Sequence, residues 1–264
     1  MSATASRIDA ARAEGRAVLV GYLPVGYPDL ATSVEAARAM VEAGVDVVEL
    51  GLPYSDPVMD GPAIARAADV ALRGGTRTRH VLDAVSEVAS AGAPVLVMTY
   101  WNPVLRYGVE AFARDLAAAG GAGLITPDLV PEEAGAWLSA SDEHDLDRVF
   151  LVAPSSTPER LRSTAAACRG FVYAASTMGV TGARTSVGGS AEKLVGATRA
   201  AGAERVCVGL GVSTGDQAAE VASFADGVIV GSALVQRLTD GGPSAVAGLA
   251  GELAAGVRRG RVTV

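Results

Sequence analysis

Short apolar runs alternate along the chain with longer, alanine-rich segments that carry the 3.6-residue period of a helix. Most of the apolar runs are continuously hydrophobic, which is typical of parallel strands buried on both faces. The segments between them often end on a glycine, as at Gly44, Gly92 and Gly120, and glycine commonly ends helices. The eight runs are Val18–Leu23, Val45–Leu50, Pro94–Thr99, Gly123–Thr126, Val149–Val152, Phe171–Ala175, Arg205–Gly209 and Gly227–Val230.

Eight strand–helix units predict an α/β fold, a closed (β/α)8 TIM barrel, with an extra N-terminal helix in Met1–Gly15. An open, doubly wound sheet is the structural alternative. No shift in composition and no Pro/Ser-rich linker divides the chain, so residues 1–264 are expected to form one domain. Active sites of TIM barrels lie at the C-terminal ends of the strands, so candidate residues should follow the strand runs.

The residue counts argue against several kinds of chemistry. The chain has 22 basic and 29 acidic residues, a net charge of −7, so an electrostatic nucleic-acid binder is not expected. Two histidines (His80 and His144) and two cysteines (Cys168 and Cys207) offer little for a metal site, and no metal is expected. Lys193 is the only lysine and falls in a predicted helix, which disfavours Schiff-base chemistry.

The sequence shows no targeting or membrane segment. The uncharged stretch Val88–Leu105 is long enough to cross a bilayer, but Gly92, Pro94 and Pro103 interrupt it. The N-terminus lacks the apolar region of a signal peptide. A cytoplasmic protein without membrane contact is therefore expected, in keeping with its two cysteines.

Glu49 is the first candidate for catalysis, because it ends the second strand run. By the two-residue period of a strand, it shares a face with Val45 and Val47. If that face points into the barrel, Glu49 is a carboxyl group at the barrel mouth with apolar neighbours. Its pKa would then be raised and it could exchange protons near neutral pH. A solvated or salt-bridged glutamate at a strand end is the alternative.

A long, proline-rich loop, Leu52–Pro62, follows the same strand and carries two further carboxylates, Asp56 and Asp60. A plain turn needs fewer residues, and three prolines stiffen this one. Such a loop at a barrel mouth favours a surface for a substrate or a partner. Alternatively, both aspartates simply cap turns, as aspartate often does.

Glycine-rich turns follow the seventh and eighth strand runs. Gly209 and Gly211 end one, and Gly231-Ser232 ends the other, ahead of a short helical run, Ala233–Leu238. TIM barrels often bind phosphate between these two loops, on backbone N–H groups at the start of a short helix. The pattern predicts a phosphate site, with tight strand–helix packing as the alternative.

Two further features border the predicted barrel mouth. The loop Ser176–Ser190 is small, polar and glycine-rich, which suits either a mobile lid or a surface loop without function. Tyr22, Tyr100 and Tyr173 fall at or near strand ends, where Tyr22 and Tyr173 could line a pocket for a flat apolar ligand. Taken alone, each tyrosine is better explained by ordinary core packing.

Together these residues resemble the family of tryptophan synthase α subunits, over essentially the whole chain. The most specific part is the segment Glu49–Pro62, which is similar to the family's hallmark. Gly179–Gly182, Tyr100–Pro103 and Gly209–Ser213 also match its pattern. Met59 departs from it, because small residues are common there in the family, and leaves the detail of the pocket open.

The resemblance implies a lyase that cleaves indole-3-glycerol phosphate into indole and glyceraldehyde 3-phosphate by a retro-aldol reaction without a cofactor. It implies that Glu49 is the general acid and base and that Asp60 accepts a hydrogen bond from the indole N–H. Thr181 would contact that aspartate from the lid, and Tyr173 would lie beside the substrate. By the same resemblance, phosphate would bind at Gly182, Gly211, Gly231 and Ser232, and the pocket would be lined by Tyr22, Tyr100, Ile125, Leu210 and Ile229.

The resemblance also implies a partner, a tryptophan synthase β subunit that carries pyridoxal phosphate, in an α2β2 complex. Pro53, Asp56 and Pro57 would lie at that interface. Two alternatives remain open at this stage. One is another phosphate-binding barrel, such as a phosphosugar isomerase or epimerase. The other is a non-catalytic barrel that binds a phosphorylated ligand or only activates a partner.

Overall fold

Eight parallel strands close into a barrel in chain order, β1 to β8, with β8 paired to β1. The computed structural model describes residues 2–175, 188–209 and 211–260. All eight predicted strands are present, so the TIM-barrel prediction is confirmed and the open sheet is excluded. The strands are β1 Val18–Pro24, β2 Val47–Gly51, β3 Val95–Met98, β4 Gly123–Thr126, β5 Asp147–Val152, β6 Val172–Ala175, β7 Val206–Gly209 and β8 Gly227–Val230.

Helices surround the barrel, and an apolar layer packs between them and the sheet. None of those in the described part of the chain has the length and apolar content that spanning a membrane requires. The helices are α1 Ala3–Ala13, α2 Leu30–Glu42, α3 Pro62–Arg73, α4 Thr78–Ala89, α5 Trp101–Tyr107, α6 Val109–Ala118, α7 Gly135–Glu143, α8 Pro158–Ala167, α9 Gly188–Ala200, α10 Gly215–Ala222 and α11 Ser232–Arg259.

The barrel interior is a second, separate core. Every other residue of each strand points inward, as the strand period requires. Ile8 and Ala11 of α1 close the bottom of this core, so the predicted N-terminal helix is the barrel floor. The buried apolar residues that the strands and their ends contribute to this core are Val18, Val20, Val47, Leu96, Ile125, Val149, Phe171, Cys207 and Ile229.

Buried ion pairs fasten the α1 region to the bottom of the barrel. Arg16, just after α1, donates to both carboxylate oxygens of Asp46 at 2.9 and 3.0 Å, and Asp46 also accepts the Leu19 N–H at 3.0 Å. Arg12 on α1 donates to Asp226 at 3.0 Å. Both aspartates immediately precede a strand. Their hydrogen bonds satisfy charges that the barrel floor would otherwise leave unpaired.

Residues Pro131–Glu133 form a 3-10 turn ahead of α7, which starts at Gly135. Two other local features differ from the sequence-based expectation. Helix α5 was not predicted, although Pro103 is compatible with the first turn of a helix. Val45 packs in the outer layer rather than beside Val47, because β2 starts only at Val47.

The ion pairs of the floor give a testable expectation for stability. Asp46→Ala should lower the free energy of unfolding by about 2 kcal/mol, since it leaves the buried Leu19 N–H without its acceptor and leaves Arg16 with Glu14 as its remaining acidic partner. Asp69→Ala, which breaks an exposed pair with Arg73 on α3, should cost less than about 1 kcal/mol. Urea unfolding followed by circular dichroism measures both, and equal losses would contradict the assignment of Asp46 as an anchor.

Candidate active site

Glu49 lies inside the mouth of the barrel. Strand β2 pairs it with Tyr22 of β1 and Leu96 of β3, and its side chain points inward on the same face as Val47. The residue is 1% exposed, and its Oε2 atom has no hydrogen-bond partner among the residues that the structure describes. Burial, with a smaller contribution from nearby Asp60, raises the pKa of the carboxyl to about 8. Glu49 is therefore protonated at neutral pH and close to its titration point.

Asp60 comes from the loop after β2 and is half-buried beside Glu49. The hydroxyl of Tyr100 donates a hydrogen bond to Asp60 Oδ1 at 3.1 Å, and the same phenol oxygen accepts the Met59 N–H at 2.9 Å. Burial raises the pKa of Asp60, and the hydrogen bond from Tyr100 opposes that rise. The site thus combines a buried carboxyl without a partner and a second, hydrogen-bonded one.

Two tyrosines cover the barrel mouth, each leaning over a glycine of the next strand. A Cβ atom at Gly51 would lie 2.3 Å from Tyr22 Oη, and one at Gly209 would lie 2.5 Å from Tyr173 Oη. Each glycine stands two positions beyond the residue that pairs with the tyrosine. Any side chain at these glycines would displace a phenol. Sequence analysis missed Gly51, although a glycine two positions after Glu49 was visible.

Both phenols remain neutral across the physiological range. Burial raises the pKa of Tyr22 and of Tyr173 well above the usual value, and the charge of Glu49 adds to the effect. Below them, Ile125 and Ile229 belong to the inner core of the barrel, with Met98 packed against it. The mouth therefore offers an apolar floor, two phenol groups and two carboxyls, which suits a flat ligand with a polar edge.

The glycine turn after β8 also lies at this mouth. Gly231 is the N-cap of α11 and Ser232 is its first residue, and no side chain in the described residues caps the first N–H groups of this helix. A Cβ atom at Gly231 would lie 3.3 Å from the Tyr22 ring. Gly211, after the neighbouring strand β7, is exposed and has a positive φ of 70°. Backbone donors at a helix start suit an anion such as phosphate.

Three predicted site residues lie outside the described residues: Thr181, Gly182 and Leu210. The predicted lid falls mostly there as well, within residues 176–187.

The predicted partner surface is only partly exposed. Pro53 is buried within this chain, Pro57 is half-buried and Asp56 is exposed. The loop instead exposes two apolar side chains that were not among the residues predicted for the partner surface. Val58 is 82% exposed and Met59 is 53% exposed.

Among the described residues, one cluster could bring three metal-ligating side chains within 4.8 Å of one another: Glu110, Glu143 and His144. It lies on α6 and at the end of α7, in the outer layer of helices. The barrel mouth holds Glu49 and Asp60 without a third such group in the described part.

The mouth of this barrel holds a buried carboxyl that can be protonated, a second carboxyl and a helix start suited to phosphate. These features define an acid–base enzyme of the TIM-barrel class. Comparisons with known proteins narrow this class. The family model described as tryptophan synthase alpha chain matches residues 8–255. The tryptophan synthase alpha chain of Mycobacterium intracellulare is 63% identical over 251 residues, which cover 95% of this chain and 93% of that relative.

Comparisons with solved structures agree with this family match. A structure of Mycobacterium tuberculosis tryptophan synthase is similar with a TM-score of 0.93 at 62% identity, covering 97% of this chain and 98% of that one. A tryptophan synthase subunit alpha from Legionella pneumophila has a TM-score of 0.89 at 30% identity, covering 97% and 98%. The chain belongs to the tryptophan synthase alpha chain family. The reaction of this family is the retro-aldol cleavage of indole-3-glycerol phosphate, a lyase reaction of tryptophan biosynthesis.

The buried Glu49 predicts a pH-dependent stability. Its pKa is 4.5 in the unfolded chain and about 8 in the folded one, so the folded state binds more protons between these values. The free energy of unfolding of wild type should fall as pH rises through this window. Glutamine does not titrate, so between pH 4.5 and 8 the free energy of unfolding of Glu49→Gln should rise relative to that of wild type by on the order of 4 kcal/mol. Unfolding both proteins in urea from pH 4.5 to 8.5 tests this. Parallel curves would show that Glu49 titrates normally.

Proposed function

We propose that Glu49 and Asp60 carry out the cleavage of indole-3-glycerol phosphate in this chain. The observation that supports this most directly is Glu49, buried at the barrel mouth beside Asp60, with an unpaired oxygen and a pKa of about 8. A carboxyl with a pKa near neutrality can both give and take a proton during one turnover.

The reaction then runs in two proton transfers. Glu49, protonated at the start, gives its proton to C3 of the indole ring, and the ring becomes a cationic indolenine. Asp60 accepts a hydrogen bond from the ring N–H and offsets the positive charge there. The Glu49 carboxylate next takes the proton of the glycerol hydroxyl next to the ring. The new carbonyl forms as the carbon–carbon bond breaks, and that electron pair returns to the ring as indole leaves.

The surroundings of the pair support this sequence. Water is largely excluded from Glu49, which strengthens the attraction between the Asp60 carboxylate and the developing cation. The indole ring is placed over the apolar floor of Ile125 and Ile229, between Tyr22 and Tyr173. Tyr100, Thr181 and Leu210 are proposed to complete the pocket, with Thr181 assigned a role beside Asp60.

The phosphate of the substrate is assigned to the glycine turns. Backbone N–H groups at Gly231 and Ser232 open helix α11, and its dipole favours an anion. Gly211, with Gly182 from the loop after β6, is proposed to close the other side. This places the phosphate at the rim and the indole ring toward the carboxyls.

A tryptophan synthase beta chain is the proposed partner, in an α2β2 complex. This contact is supported by the accessible part of the loop after β2, with exposed Asp56, Val58 and Met59 and half-buried Pro57. Pro53 is buried and would support the shape of the loop rather than touch the partner. Pyridoxal phosphate is assigned to the partner, and this chain is proposed to need no cofactor. We also propose that residues 1–264 act as one domain and work in the cytoplasm, where the two free cysteines suit a reducing environment.

Glu49→Gln tests the assigned role. Turnover of indole-3-glycerol phosphate should fall by about 10²–10⁴-fold, because glutamine cannot transfer the proton. Affinity for glycerol 3-phosphate, measured by calorimetry, should stay within about twofold, since the phosphate turns are untouched. In wild type, turnover should decline above about pH 8 as Glu49 loses its proton. Unchanged turnover in the variant would remove the assignment.

Gly231→Val tests the phosphate site. The added side chain would stand at the start of α11, beside the Tyr22 ring, and should weaken glycerol 3-phosphate binding about tenfold or more by blocking backbone donors. Gly248→Val, in α11 with open space around it, is the matched control and should leave affinity unchanged. If both variants bind glycerol 3-phosphate like wild type, the phosphate lies elsewhere.

A further inference from the structure

Tyr100 lies between the catalytic pair and the backbone of the loop that carries Asp60. It follows strand β3, is 4% exposed, and touches this loop twice through one oxygen atom. The Met59 N–H donates to the phenol oxygen at 2.9 Å, and the phenol donates to Asp60 Oδ1 at 3.1 Å. The Tyr54 ring packs against it at a centroid distance of 5.2 Å.

The number of available hydrogen atoms decides which group donates in the hydrogen bond between Tyr100 and Asp60. A phenol has one hydrogen, and a backbone N–H can only donate. The Tyr100 hydrogen is therefore free to be donated to Asp60 and to no other group in the contact. A hydrogen bond donated to a carboxyl stabilises its ionised form. Glu49, by contrast, has an oxygen that receives no hydrogen bond from the described part of the chain.

We propose that Tyr100 is a positioning residue that decides which of the two carboxyls holds the proton. By donating to Asp60 Oδ1, it keeps Asp60 ionised and leaves the proton on Glu49, where the first step of the reaction needs it. It also fixes the rotation of the Asp60 carboxylate, so that Oδ2 is available to the indole N–H. This inference rests on the proposed function.

The other groups that act on the pair do not provide this asymmetry. Tyr22 and Tyr173 interact with both carboxyls, and both phenols are neutral. Asp128, which accepts the Trp101 N–H at 2.9 Å, acts on Tyr100 and favours the protonated phenol. Among the described residues that influence the pair, none is a cation. The selective contact is therefore the hydrogen bond from Tyr100.

Tyr100→Phe removes this one hydroxyl and keeps the ring. With the chain alone and with a tryptophan synthase beta chain in excess, kcat should fall about tenfold or more and KM should change less than about threefold. The acid limb of the kcat/KM–pH profile should move up by about one unit or more, since Asp60 becomes harder to ionise. Tyr107→Phe is the matched control, because Tyr107 makes a similar bond to Asp115 at 2.7 Å in the helical layer. It should change neither kcat nor the profile.

A second replacement tests the same bond in the opposite direction. 3-Fluorotyrosine introduced at position 100 is a stronger donor and should move the acid limb to lower pH, which also keeps the proposal testable if Tyr100→Phe does not fold. An unchanged acid limb in every folded variant overturns the proposal, even if kcat falls, because that pattern reports packing alone. If wild type itself does not cleave indole-3-glycerol phosphate, the proposed function fails. If wild type cleaves it and Tyr100→Phe matches wild type, only the role of Tyr100 fails.

Discussion

The rest of the site depends on the burial of one carboxyl group, Glu49, against a second, Asp60. Two carboxylates close together in a region with little water repel each other, so the pair favours a single negative charge near neutral pH. That state supplies an acid and an anion in one place without a metal-ligand cluster among the described residues of the mouth. The hydroxyl of Tyr100 acts on one carboxyl only and makes the two unequal.

The barrel allows this carboxyl to be buried without disrupting the fold, because parallel strands bring side chains from distant parts of the sequence to one rim. Glu49 projects from β2 with the apolar barrel core beneath it and α1 closing the far end. The phenols above it fit only because Gly51 and Gly209 lack side chains. The stable floor and the polar rim are thus separate, and the loops after β2 and β8 can serve binding and catalysis without disturbing the core.

Most of this architecture could be predicted from the sequence, because buried parallel strands are continuously apolar and leave a clear pattern. The strand period put Glu49 on the same face as Val47 but did not say which face points inward, and Val45, before the strand begins, does not share that face. Contacts between loops could not be predicted. The bond from Tyr100 to Asp60 joins residues 40 positions apart, and no local periodicity encodes it. The burial of Pro53 was missed because its place at the interface came from the family resemblance, which does not show which side chains of the loop pack within the chain.

The central claim is that Glu49 is protonated at neutral pH in the folded protein, and infrared spectroscopy tests it most directly. Difference spectra between wild type and Glu49→Gln, recorded from pH 4 to 10, isolate the C=O stretch of this one protonated carboxyl. We expect that band to persist at pH 7 and to vanish with a midpoint near pH 8. A midpoint near 4.5, the ordinary value for glutamate, would contradict the account.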